Sequence, residues 1–176
     1  MLWKLEVEKV LGNNCKSNEL VEEKIRKLAF DFRNAIDIAI LESEFCGDSV
    51  FKRFPSGCCG DTVDLLGQYL LEKGLEPKIV CGHRYFDDPE EGTQTHAWLL
   101  VDDLIVDITG DQFSNKAEYC NYSETVYVGR GDVFYDLFDV VEDRDVTPFH
   151  GIECYNERCM KRLWGLYKKI TKYLLE

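Results

Sequence analysis

Cys59, His96 and Asp107 are the residues of this chain whose types and order can carry out covalent chemistry. A thiol becomes a nucleophile when its thiolate is stabilised, and a helix start does this with N–H groups that lack intrahelical partners and with the positive end of the helix dipole. Cys59 follows the turn-forming Phe54-Pro55-Ser56-Gly57 and opens a run to Lys73 in which Val63, Leu66 and Leu70 share one helical face. Cys58 is one residue away and points elsewhere, so only one of the two thiols takes the productive direction. Asp61 opposes a thiolate unless it faces away. The chemistry expected is nucleophilic attack on a carbonyl carbon. His96 takes the thiol proton, and Asp107 orients the imidazole and stabilises its charged form.

The elements that must position these groups are a helix and a hairpin. Thr95 to Val101 and Leu104 to Thr109 are apolar-rich strand candidates on either side of Asp102-Asp103, which suits a two-residue turn. Pairing about that turn sets Trp98 opposite Asp107 and His96 opposite Thr109, so His96 and Asp107 share a face. Diagonal neighbours on one face lie roughly 7–8 Å apart at the backbone, close enough for imidazole and carboxylate to lean together. A register slip of one residue separates them. The Cys59 N–H is one natural donor to an oxyanion, with Gln94 and Gln112 as candidates for the second. Asp111 rivals Asp107 as the orienting carboxylate, and Thr109 is placed to support it.

Gly57-Cys58-Cys59, Gly74, Gly82, His96-Ala97-Trp98 and Asp107-Ile108-Thr109 together resemble the transglutaminase-like branch of the papain-like cysteine hydrolase superfamily. That pattern is a Gly-x-Cys turn opening a helix that ends in Gly, a short strand ending in Gly, a His-x-Trp strand and an Asp-x-Thr strand end. It covers about Phe54 to Phe113, and its spacing favours Cys59 over Cys58. The resemblance implies an α+β fold in which the cysteine helix packs on a small antiparallel sheet bearing the histidine and aspartate. It implies hydrolysis or acyl transfer at an amide bond of a protein or peptide, as in a peptidase, deamidase or transglutaminase, without cofactor or metal. Similar elements occur in the leader-peptide peptidases of lasso-peptide maturation. Ile108, where the family often has Pro, and the doubled cysteine depart from the pattern.

Around this segment, Ser17 or Asn18 is expected to cap a long helix ending near Cys46-Gly47, with Val21, Ile25, Leu28, Phe32, Ala35, Ile36 and Ala39 as its apolar stripe. Gly74 and Pro77 end the cysteine helix, Lys78 to Gly82 forms a strand, and His83 to Gln94 forms a polar loop that could cover a cleft. Thr125 to Gly129 is a further strand candidate, and Asp136 to Asp145 reads as an irregular surface segment. Glu157 to Leu175 is an amphipathic closing helix.

At 176 residues with 45% apolar content, the chain suits one domain, residues 1–176. The net charge of −12 disfavours nucleic acid and anionic membrane as partners, while leaving a basic substrate compatible. Neither an export signal nor a membrane-spanning stretch is recognised, so a cytoplasmic location is expected and the eight cysteines are read as thiols. Cys154 and Cys159 with His150 lack the second ligand pair of a zinc site. Two other readings compete with the enzyme: a non-catalytic protein-binding module, expected to bury Cys59, and a redox sensor using the adjacent Cys58 and Cys59, which pair only with strain.

Overall fold

The computed structural model describes residues 2–86 and 92–174, with side chains from residue 19 onward. Its elements are α1 (Leu2–Leu41), α2 (Cys59–Glu72), β1 (Lys78–Tyr85), β2 (Thr93–Val101), β3 (Leu104–Asp107), β4 (Tyr127–Gly129), α3 (Glu142–Asp145), β5 (Val146–Pro148) and α4 (Glu157–Thr171). The strands form one antiparallel sheet in the order β4-β3-β2-β1-β5. The architecture is α+β, with the Cys59 helix against the strand that carries His96. Among the described residues, no helix is long and apolar enough to cross a membrane.

Alternation along the strands gives the sheet two buried faces. Ala97, Leu99, Val101, Leu104 and Val106 join α1, α2 and α4 in one apolar cluster, to which α1 contributes Ile25, Ala29, Phe32, Ala35, Ile36 and Ala39. Val80 and Trp98 point the other way, into an aromatic cluster of Phe113, Tyr119, Phe134, Tyr135 and Phe138. Residues from Phe113 to Phe138, several of them in short 3-10 turns, thus cover the face opposite α1, α2 and α4.

The β2–β3 turn fixes the site. Asp102 and Asp103 both adopt left-handed backbone, φ 49° and 63°, as a tight hairpin turn of this kind requires. The resulting pairs Val101↔Leu104, Leu100↔Ile105 and Leu99↔Val106 are those expected from an even loop centred on the two aspartates. At the other end of the site, α2 stops where Gly74 takes φ 78°, with Leu75 N–H donating to Leu70 O and Gly74 N–H to Leu71 O.

Several expectations need correction. Helix α1 runs through Ser17 and Asn18, so neither caps it. Each costs only about 0.5–0.7 kcal/mol relative to alanine inside a helix, too little to stop one without a proline or a competing partner. Helix α1 ends at Leu41, before Cys46-Gly47, because Ser43 turns left-handed at φ 60°. Strand β1 continues past Gly82 to Tyr85, and β2 already begins at Thr93, so most of the expected polar loop is ladder: His83 pairs Thr95 and Arg84 pairs Gln94. Residues 87–91, the tip of that expected loop, lie outside the described residues. Asp136 to Asp145 is only partly a surface segment, since Phe138 and Asp145 are buried. Strand β5 follows it, a three-residue edge strand ending in proline and too short to show a period.

Gly82 lies opposite His96, and a Cβ there would sit 2.6 Å from the Trp98 ring and 2.7 Å from the Phe138 Cβ. Gly82→Ala is therefore expected to destabilise the fold by about 1–3 kcal/mol through overpacking. A lowered denaturant midpoint together with altered tryptophan fluorescence checks it; an unchanged midpoint contradicts the close packing.

Candidate active site

Cys59 is the first residue of α2, reached through Gly57 in left-handed backbone at φ 68°, and Cys58 at the cap offers no side-chain hydrogen bond to the helix start. The first-turn N–H groups and the dipole therefore face the thiol without a competing side-chain cap. Cys59 is half-buried, and its sulfur lies where the His96 ring and the Ala97 backbone N–H both favour its thiolate. Burial alone would raise its pKa; the His96 and Ala97 contacts outweigh burial and hold it below the ordinary thiol value.

Cys58 differs in each respect. It is fully buried, its thiol donates to Val50 O at 3.3 Å and Ser56 O at 3.4 Å, and burial with the nearby Asp61 pushes its pKa up to about 11. It is an inert core thiol. Asp61 pairs with Arg162 at 2.6 Å, and the same guanidinium binds Asp48, so the charge that opposes a thiolate is partly offset.

His96 is completely buried, and its Nε2 lies 2.7 Å from Asp107 Oδ2. With Nε2 committed to the carboxylate, Nδ1 is the nitrogen left for Cys59. The ring is enclosed by Phe113 at 5.1 Å, Trp98 and Phe138 at 5.7 Å and Phe134 at 5.8 Å between centroids. Asp107 accepts from four groups: Oδ1 from the Thr109 N–H at 2.8 Å and hydroxyl at 3.0 Å, Oδ2 from His96 and from the Tyr135 hydroxyl at 3.2 Å. Burial disfavours both charges, yet Asp107 is held below the usual carboxylate range by His96 and Thr109. His96 is raised to about 9, chiefly by Asp107. The expected support from Thr109 is present, and Trp98 forms a wall of the site.

The linkage to stability is cleanest in Cys59→Ala, where the imidazole titrates without a thiol partner. A raised folded-state pKa contributes stability that is fully present below the unfolded histidine value of about 6.5 and is lost as pH rises through the folded value. That folded value lies below the intact site's value of about 9, because the Cys59 share is gone. The thermal midpoint of Cys59→Ala is expected to fall across this window, and a flat profile would contradict the charged His96–Asp107 pair.

Asp111 is not the orienting carboxylate. It binds the Arg33 guanidinium through both oxygens, at 2.8 and 3.0 Å, and Arg33 also donates to Ile108 O at 2.8 Å and Thr125 O at 3.2 Å. Arg33 thus ties α1 to the Asp107-Thr109 strand end, through Ile108 O, and to the backbone just before β4, through Thr125 O. Arg33→Met leaves Asp111 and two carbonyls without this donor and is expected to cost about 2–4 kcal/mol. A thermal or denaturant melt measures it, and a loss below about 0.5 kcal/mol, that of an ordinary surface change, would contradict the tether.

Gln112 bridges the halves of the site. Its Nε2 donates to Thr109 O at 2.9 Å and lies 3.4 Å from His96 Nδ1, while its Oε1 accepts from Gly57 N–H at 3.4 Å. Gln94, the other candidate donor, is exposed two residues before His96 on β2. Tyr135, Phe134, Phe138 and Arg33 are site residues that sequence reasoning missed. Cys154 and Cys159 are exposed, and among the described residues no group of three or more His, Cys, Asp or Glu converges as metal ligands would. Comparison with family models, curated proteins and solved structures finds no match to this chain.

Proposed function

We propose that the protein is a cysteine hydrolase or acyltransferase acting on amide bonds of proteins or peptides, with an active site of the papain/transglutaminase-like kind. The observation that carries this reading is the meeting of a partly buried thiol at a helix start with a fully buried histidine that is itself held by a four-fold hydrogen-bonded carboxylate. A binding module has no use for a charged triad held at this desolvation cost, and Cys59 is not buried as that reading expected.

In the proposed reaction His96 holds the thiol proton and Cys59 attacks as thiolate. The sulfur lone pair forms the S–C bond while the carbonyl π electrons move onto oxygen, toward the Cys59 N–H and the Gln112 side-chain amide. Collapse re-forms the carbonyl and breaks the C–N bond, and His96 delivers its proton to the leaving nitrogen. Water or a second amine, deprotonated by the now neutral His96, then attacks the thioester and releases the thiolate. Asp107 stays ionised throughout and holds the Nε2–H tautomer. A reducing, cytoplasmic setting fits a mechanism that needs a free thiolate.

The test is intact-mass analysis after exposure to the activated ester p-nitrophenyl acetate. One acetyl group per protein, mapped to Cys59 and absent in Cys59→Ala, is expected. Acetylation confined to other residues, or none, overturns the acyl-enzyme reading.

A further inference from the structure

Beside the triad lies a second set of groups that the mechanism does not use. Gln94 is two residues from His96 on the same side of β2, and its partner Arg84 is two residues from Gly82 on β1. Together with Phe86, Lys116 and Glu118 they line a cavity of about 460 Å³. The Arg84 guanidinium is fixed there: it lies 4.4 Å from the Tyr119 ring centroid and 5.1 Å from that of Phe86, and Nη1 donates to Glu118 O at 2.5 Å. Lys116 Nζ sits 5.3 Å from Phe113 and 5.6 Å from Tyr119. Neither cation forms an ion pair with a carboxylate of the described residues. In a chain with 33 acidic and 21 basic residues, the described lining of this cavity carries two cations, Arg84 and Lys116, against one carboxylate, Glu118.

The rings under these cations lead directly to the reaction centre. Tyr119 packs on Phe113 at 4.4 Å, and Phe113 packs edge-on against His96 at 5.1 Å. Two residues of strand span roughly 7 Å, so Gln94 at the cavity stands about that far along the backbone from His96. A guanidinium held against two rings and a backbone carbonyl has less freedom to lose on binding, and its fork of N–H groups matches a carboxylate.

We infer that this cavity is a substrate subsite for a carboxylate, supplied by an acidic side chain or by a peptide C-terminus close to the reacting amide. The inference rests on the proposed amide chemistry for the meaning of the site, while its binding can be measured without that chemistry. Glu118 lines the same cavity with an opposing charge and tunes the preference downward.

The experiment uses full-length Cys59→Ala, which cannot form an acyl-enzyme, followed by ¹H–¹⁵N NMR during titration with three peptides. These are N-acetyl-Ala-Ala-Glu-amide, its Gln counterpart, and N-acetyl-Ala-Ala-Gln with a free C-terminal carboxylate. At least one acidic peptide is expected to shift the Arg84 Nε–H and Gln94 side-chain signals saturably, binding at least about five-fold more tightly than the neutral one. Which acidic peptide does so identifies the source of the carboxylate. Arg84→Gln with Lys116→Gln should remove the preference while leaving the remaining spectrum in place, and Glu118→Gln should strengthen it. Equal shifts with neutral and acidic peptides, or none at Arg84 and Gln94, overturn the subsite. Failure of the catalytic reading would appear separately, as native protein that p-nitrophenyl acetate does not acylate at Cys59.

Discussion

Replacing His96 with alanine slows iodoacetamide alkylation of Cys59 near about pH 6 by on the order of 100-fold. An unassisted thiol with a pKa of about 8.5 is under 1% thiolate at that pH, whereas a thiol that has passed its proton to a neighbouring imidazole is largely thiolate. The other contributions survive the substitution: the helix start and the Ala97 N–H still face the sulfur. They act against burial, which raises the pKa, so the loss of imidazolium decides the outcome. Peptide mapping separates Cys59 from Cys58, which is buried, hydrogen-bonded to backbone carbonyls and raised to about 11, and which should stay unlabelled in both proteins. A His96→Ala protein labelled at Cys59 as fast as the native one would show that the imidazole does not activate the thiol.

Asp107→Asn is expected to reduce acylation by p-nitrophenyl acetate by about 10²–10⁴-fold with little change of shape. The reason lies in the donors around the carboxylate. Thr109 presents a backbone N–H to Oδ1 and cannot reverse it, so the asparagine carbonyl must take that side. The amide NH₂ then meets His96 Nε2, which can accept only if the ring proton moves to Nδ1. That tautomer points a proton at Cys59 and leaves no base for the thiol. The Tyr135 hydroxyl loses its acceptor as well. The pH profile of acylation separates this mechanism from general destabilisation, because the variant's rate should rise only near the ordinary thiol pKa of about 8.5. A profile superimposable on that of the native protein, at any amplitude, would contradict the tautomer argument.

The residues that meet at the site were legible where geometry is local. The Asp102-Asp103 turn sets the register of β2 against β3, and the register alone puts His96 and Asp107 on one side of the sheet. The start of α2 at Cys59 and its end at Gly74 follow from turn chemistry and helical spacing. The enclosing residues were not legible in this way. Phe134, Tyr135 and Phe138 approach His96 and Asp107 from a segment of short turns without a helical or strand period, about thirty residues further along the chain. Arg33 reaches Ile108 across 75 positions, and from sequence it is one charged residue on an amphipathic helix. The continuation of β1 beyond Gly82 was hidden because His83, Arg84 and Tyr85 are polar or only partly buried, and hairpin pairing with Thr93 to Thr95 outweighs their composition.

In the proposed mechanism Cys59 rests as a thiolate paired with a charged His96. The most direct measurement is the ultraviolet thiolate absorbance of native protein minus that of Cys59→Ala, followed across pH. A transition centred well below the ordinary thiol value of about 8.5, which moves up to or beyond that value in His96→Ala, is the predicted result. A native transition at or above about 8.5 would contradict the ion pair and with it the proposed enzyme.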